Sequence, residues 1–245
     1  MRAIKRFFYA VMIPALFLSA CASVPESGGA QSHRKEDASY RTVRIDESLD
    51  FLDTEIEYPD FPAQSELSRL IKNSVESEWR SFRAFAQGAW SRIDGLNSAD
   101  GGKKYPPFEY QTRCQISYSG NLISVLVVRY VFSGGAHGST TLLALNFDTD
   151  TKRLLKITEA SGLKISEISE ICRESLQRNL IDRNSRVKSA EEIADMRAMI
   201  LAGTSAQAGN FDVFTLSGRK MTVYFEPYAV APYAYGIQSV EIPVK

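Results

Sequence analysis

Thr112–Phe132, TRCQISYSGNLISVLVVRYVF, decides the fold. Its first half alternates, with Thr112, Cys114, Ile116 and Tyr118 on one side of an extended chain and Arg113, Gln115 and Ser117 on the other. That is the period of a strand with one covered face. Gly120 and Asn121 follow as a two-residue hairpin signal. The chain then runs from Leu122 to Phe132 as a near-continuous apolar stretch, which suits a strand buried on both faces. Thr140–Phe147 reads as the next antiparallel neighbour, and Asp148-Thr-Asp-Thr-Lys152 as the turn after it. An antiparallel sheet therefore stands at the centre.

Upstream, Tyr40–Ile45 and Leu49–Tyr58 alternate at period two, giving two strands or one bent strand. Pro59 and Pro62 end that run. From Gln64 to about Gln87, the residues Leu67, Leu70, Ile71, Val75, Trp79 and Phe82 recur at three and four, an amphipathic helix. A polar, glycine-bearing loop is expected from Ser91 to Pro107. Downstream, Lys164–Asn179 carries Ile165, Ile168, Cys172 and Leu176 on one helical face, and Ala190–Leu201 makes a second, shorter helix. Phe211–Leu216 and Met221–Glu226 form a hairpin around Ser217-Gly-Arg-Lys220, and Gly236–Val244 is a final strand. This order predicts an α+β fold, mainly antiparallel sheet with helices packed on it. The simplest division is one domain over residues 40–245, with room for two lobes.

The N-terminus reads as an address. Arg2, Lys5 and Arg6 precede the apolar stretch Phe7–Leu18, and Leu18-Ser19-Ala20-Cys21 matches the bacterial lipobox. The stretch is about a dozen residues, short of the roughly 20 a membrane-spanning helix needs. Residues 1–20 are thus expected to be a lipoprotein signal peptide, with the thiol of Cys21 taking lipid and anchoring the chain to a membrane outside the cytoplasm. Ala22 stands where an inner-membrane retention signal usually has Asp, which favours the outer membrane in a diderm cell. Residues 21–39, where Ser, Pro, Glu, Gly, Gln, His, Arg, Lys and Asp dominate and almost nothing is apolar, read as a flexible tether. The whole chain balances 29 basic against 29 acidic residues. Without the leader it is mildly acidic, which argues against a nucleic-acid partner.

Two segments carry the chemistry. Tyr130-Val-Phe-Ser-Gly-Gly-Ala-His-Gly138 runs a strand into three glycines around His137, the one histidine of the expected folded region. As a general base His137 would need a carboxylate, and as a metal ligand it would need cysteines or carboxylates to complete the set, so no metal or other cofactor is expected. The simpler reading is a sharp connection between central strands, with the imidazole bonded to backbone groups that the turn leaves unpaired. A part in a protein-binding surface lies between these. The second segment, Tyr224-Phe-Glu-Pro-Tyr-Ala-Val-Ala-Pro-Tyr-Ala-Tyr-Gly236, packs five aromatics and two prolines into an irregular stretch. Tyrosines at this density suit recognition of a protein, and they can equally stack on sugar rings or pack a long connection onto the sheet. Cys114 and Cys172, each on an apolar face, are open to a disulfide or to two buried thiols.

Together, Val131–Gly138, the strand Leu142–Asp148 and Phe225–Gly236 resemble the extracytoplasmic domain of the anti-sigma factor RsiV. The same domain family precedes the catalytic domain of PdaC-type peptidoglycan deacetylases and occurs in stand-alone lipoproteins. The resemblance covers roughly residues 40–245. It implies an α+β domain whose family role is binding, lysozyme being the known partner. No sigma-binding segment, transmembrane helix or deacetylase domain accompanies it here, so neither the anti-sigma role nor the deacetylation is expected. The expectation is a lipid-anchored, non-enzymatic envelope protein recognising lysozyme or a peptidoglycan-related ligand through His137, Tyr228, Tyr233 and Tyr235. Its rivals are a cell-wall hydrolase using His137 with a carboxylate such as Glu226, and a structural lipoprotein.

Overall fold

Six strands build the main sheet: β1 (Arg41–Ser48), β2 (Leu52–Asp60), β3 (Phe108–Ser119), β4 (Leu122–Phe132), β5 (Ser139–Asp148) and the short β6 (Arg153–Leu154). They lie side by side in chain order. The structure is a computed structural model and describes residues 39–99, 105–183 and 189–244. The expected signal peptide, the lipidated Cys21 and the tether up to residue 38 lie outside the described residues.

The hairpin at Gly120 and Asn121 forms as its residues dictate. Ser119 pairs with Leu122 across the two-residue turn, and Gly120 supplies the positive φ of 60° that such turns require. Asn121 Nδ2 donates to Asp148 Oδ1 (2.7 Å), which ties this turn to the one after β5. That second turn is closed by the same carboxylate, which accepts from the Asp150 and Thr151 amides and is held below the usual carboxylate range by those bonds, against the opposing effect of its partial burial. Residues 123–127 of β4 are buried one after another, as a central strand covered on both faces demands.

One pairing is parallel. β2 runs alongside β3 in the same direction, which requires a long crossover. The helix α1 (Ser65–Ala99) supplies it, and Leu67, Ile71, Val75 and Ala86 on its inner face are fully buried against the sheet. α1 extends about three turns beyond the end expected near Gln87 and takes the place of much of the loop expected from Ser91. Ala89, Trp90 and Ile93 continue its apolar stripe into the core, whereas Gly88 faces open space and does not interrupt it. Tertiary packing overrides the glycine and the polar residues that suggested a loop.

The second layer follows β6. Short helix α2 (Ile157–Ser161), α3 (Ile165–Gln177) and α4 (Ala190–Gly203) pack against a three-stranded antiparallel sheet of β7 (Phe214–Ser217), β8 (Lys220–Phe225) and β9 (Gln238–Pro243). The fold is α+β and mainly antiparallel, as expected. Its core has two clusters, one between α1 and the main sheet, the other between α3, α4 and the small sheet. Polar groups join them. Ser124 Oγ donates to Asn146 Oδ1 (2.6 Å) and accepts from Leu216 N (3.0 Å), and Asn146 Nδ2 donates to Phe214 O (2.8 Å). Ser117 Oγ donates to Leu216 O (2.7 Å). Ser124 thus interrupts an apolar strand because β7 lies across it and its backbone needs partners.

The cysteines belong to different clusters and are both free thiols. Of the two readings of Cys114 and Cys172, the disulfide is not made and the structure has two covered thiols. Burial pushes each up to about 12, with the nearby Glu57 adding to the effect at Cys114. No described helix is long and apolar enough to cross a membrane.

Candidate functional site

The glycine segment connects β4 to β5. Gly134 (φ 92°) and Gly135 (φ 99°) hold backbone angles that side chains rarely adopt, and residues 133–137 are exposed. Gly138 is buried for a different reason. A Cβ there would lie 2.3 Å from the Tyr130 ring, so only glycine lets this backbone rest on that ring.

The tyrosine segment leaves β8 and returns to β9, and it is pinned at three places. Glu226 Oε1 accepts from Leu142 N on β5 (2.6 Å), a bond strengthened by the carboxylate's charge. Val230 and Ala231 are buried in the second cluster. Their neighbour Ala229 packs so closely on the end of α4 that a Cβ on Gly203 would come within 2.1 Å of its carbonyl oxygen. Tyr233 donates its hydroxyl to Gly138 O (3.0 Å). Between these pins the chain turns tightly, with Ala229 N bonded to Glu226 O and Tyr228 N to Ala231 O, and Tyr228 takes a left-handed φ of 71°.

The two segments meet as a stack of rings. His137 and Tyr233 lie face to face, 4.0 Å between centroids and 22° between planes, and Tyr228 follows at 5.6 Å and 35°. The Gly138 carbonyl is the shared anchor, since it takes both the Tyr233 hydroxyl and His137 Nδ1 (2.9 Å). A carbonyl oxygen only accepts, so Nδ1 carries the proton in the neutral ring and Nε2 is the accepting nitrogen. Tyr228 is 59% exposed and forms the outer end of the stack.

Three of the four residues expected to bind ligand, His137, Tyr228 and Tyr233, are therefore brought together. The fourth, Tyr235, packs against the second core cluster, and its carbonyl accepts from Gln238 Nε2 (2.6 Å). His137 bonds to a backbone carbonyl, as a turn histidine should, yet remains exposed. Glu226, the carboxylate considered for acid–base work, has one oxygen committed to the Leu142 amide. No group of three or more His, Cys, Asp or Glu among the described residues could hold a metal ion. The roles of the Gly138 carbonyl, the Tyr130 ring and Leu142 N are not legible in the sequence, where Gly138 signals only a turn.

Residues 45–140 match the family described as deacetylase PdaC, and residues 160–245 match a protein family of unknown function, DUF3298. The chain is 25% identical over 127 residues to the peptidoglycan-N-acetylmuramic acid deacetylase PdaC of Bacillus subtilis (strain 168), a match covering 52% of this chain and 26% of that protein. It thus spans about a quarter of that relative. Two solved structures of DUF3298 family proteins share the fold. The one from Pseudomonas aeruginosa PAO1 has a TM-score of 0.54 at 17% identity, covering 85% of this chain and 92% of that one. The one from Bacteroides fragilis NCTC 9343 has 0.55 at 18%, covering 84% and 90%. His137 falls in the first matched segment, Tyr228 and Tyr233 in the second, so the ring stack is built where the two meet. The chain carries a PdaC-like segment followed by a DUF3298 segment, in keeping with the resemblance to the non-catalytic region of PdaC-type deacetylases that its motifs display.

Proposed function

We propose that this chain is a non-enzymatic binding module of the cell envelope, anchored through lipid on Cys21, and that the stack His137–Tyr233–Tyr228 is its recognition surface. The observation that carries the reading is the double use of the Gly138 carbonyl, which fixes two rings from distant parts of the chain and leaves a third presented to solvent. Rings held in place before binding lose little freedom when a ligand arrives. The envelope setting is supported by the lipobox tetrad and by a relative whose name assigns it to peptidoglycan. The ligand is lysozyme or a peptidoglycan-related molecule. A binding role is favoured over hydrolysis because the carboxylate considered with His137, that of Glu226, has one oxygen held by the Leu142 amide, whereas acid–base work needs the carboxyl group turned toward substrate.

Capture with the full chain tests this. Immobilised protein should retain lysozyme or soluble peptidoglycan fragments at micromolar concentration without changing the fragments. Release of new muropeptides or of acetate would defeat the non-enzymatic reading, and retention of neither ligand would defeat the choice of ligands.

A further inference from the structure

Resting on that reading, we infer that the site takes the apolar face of an uncharged pyranose ring, with Tyr228 as the stacking residue. Three features of the site lead there.

The first is backbone strain. Tyr228 is the one residue of the stack at positive φ, and an aromatic side chain in the left-handed region carries a steric cost that glycine does not. Burial does not offset this, because the ring is more than half exposed. Non-glycine residues held in this region cluster at ligand-contacting sites, and this one carries an exposed aromatic ring.

The second is availability. Tyr233 contacts both His137 and Tyr228 and is half-buried, whereas Tyr228 is exposed, so the tyrosine face available to a ligand is that of Tyr228. The electron-rich face of a tyrosine attracts the weakly positive C–H groups that line one side of a pyranose. The exposed residues Ser133–Ala136, all with small side chains, lead into His137 at the other end of the same stack. An exposed aromatic face in a site that also carries an exposed imidazole and a small-residue loop suits a sugar, which is apolar on its face and polar at its rim.

The third is charge. Among the side chains that build the site only Glu226 is a carboxylate, and one of its oxygens is held by Leu142 N. A strongly basic protein would call for acidic groups at the contact, whereas a neutral glycan needs none. One exposed ring is also small beside the apolar centre of a stable protein interface.

Isothermal titration of the full chain with chitotetraose, a neutral aminosugar oligomer, tests the inference beside a titration with lysozyme. Chitotetraose should bind the wild type, and Tyr228→Gly should weaken it at least about tenfold, equivalent to roughly 1.4 kcal/mol. The same variant should unfold at a higher denaturant concentration, because glycine relieves the strained φ. That rise separates a lost contact from a lost fold. Lysozyme binding that Tyr228→Gly abolishes, with no chitotetraose binding, would overturn the sugar assignment and leave the binding-module reading intact. Chitotetraose binding unchanged in Tyr228→Gly would overturn the role of Tyr228. Failure of chitotetraose to bind the wild type, with soluble peptidoglycan fragments still retained, would overturn the inference alone; failure of chitotetraose, peptidoglycan fragments and lysozyme alike would overturn the inference together with the choice of ligands beneath it.

Discussion

His137 and Tyr233 face each other at 4.0 Å, and the same carbonyl, that of Gly138, holds both. The contact is tertiary in origin. His137 is delivered by the connection between two strands of the main sheet and Tyr233 by the return from β8 to β9, so the pair exists only when both layers are assembled.

Gly138→Ala should break the arrangement at its anchor. The added methyl would sit 2.3 Å from the Tyr130 ring, beneath the carbonyl that holds the stack. Urea denaturation should show a loss of about 1–3 kcal/mol, the usual cost of overpacking. The His137 ring resonances should shift in the remaining folded protein. Gly203→Ala should cost at least as much, because the atom in its way is the backbone oxygen of Ala229 and cannot rotate aside.

Removing the Glu226 carboxylate should loosen the tyrosine segment without unfolding the sheets. Its bond to Leu142 N is the tie between that segment and β5. Glu226→Ala should cost about 1–3 kcal/mol, in the range for a hydrogen bond to a charged group. Amide exchange at Leu142 should quicken, while exchange in β4 stays slow. Equal acceleration in both strands would show that the carboxylate supports the whole fold.

Ser124→Ala should uncouple the two core clusters. The change strips Leu216 N and Asn146 Oδ1 of a buried partner, and an unsatisfied buried group costs about 1–3 kcal/mol. Unfolding followed separately by fluorescence of the α1 tryptophans, Trp79 and Trp90, and by signals of the small sheet should become less coincident than in the wild type.

The thiols set an alkaline limit. Cys114 and Cys172 have folded-state values raised from 9.0 to about 12 by burial. A raised value means the folded state favours the protonated thiol. That contribution is fully present below about pH 9 and is lost as pH rises toward 12. Stability measured by urea should therefore fall across this window. In Cys172→Ala the fall should be shallower, whatever the variant's stability at neutral pH. Neither native thiol should react with maleimide at pH 7, and both should once the chain is unfolded.

Much of the fold was legible because its elements announce themselves locally. The alternation before Gly120, the apolar run after Asn121 and the helical spacing around Cys172 each reflect a single element with one or two covered faces. The extension of α1 was hidden because Gly88 and polar neighbours resemble a loop until Trp90 and Ile93 are seen to have a core to enter. The parallel pairing of β2 with β3 was hidden for a related reason, since no local signal says which way a crossover helix returns its strand. For the site, residue type was enough to single out His137, Tyr228 and Tyr233. Composition could not distinguish them from Tyr235, whose ring turns inward only because the segment is pinned by Glu226, Val230 and Ala231.

The central claim is that the ring stack is a recognition surface. Co-sedimentation of the full chain with purified peptidoglycan, comparing wild type with Tyr228→Ala and His137→Ala, tests it most directly. The account predicts that the wild type pellets with the wall polymer and that both variants, still folded by circular dichroism, remain largely in solution. Variants that pellet as well as the wild type would contradict it.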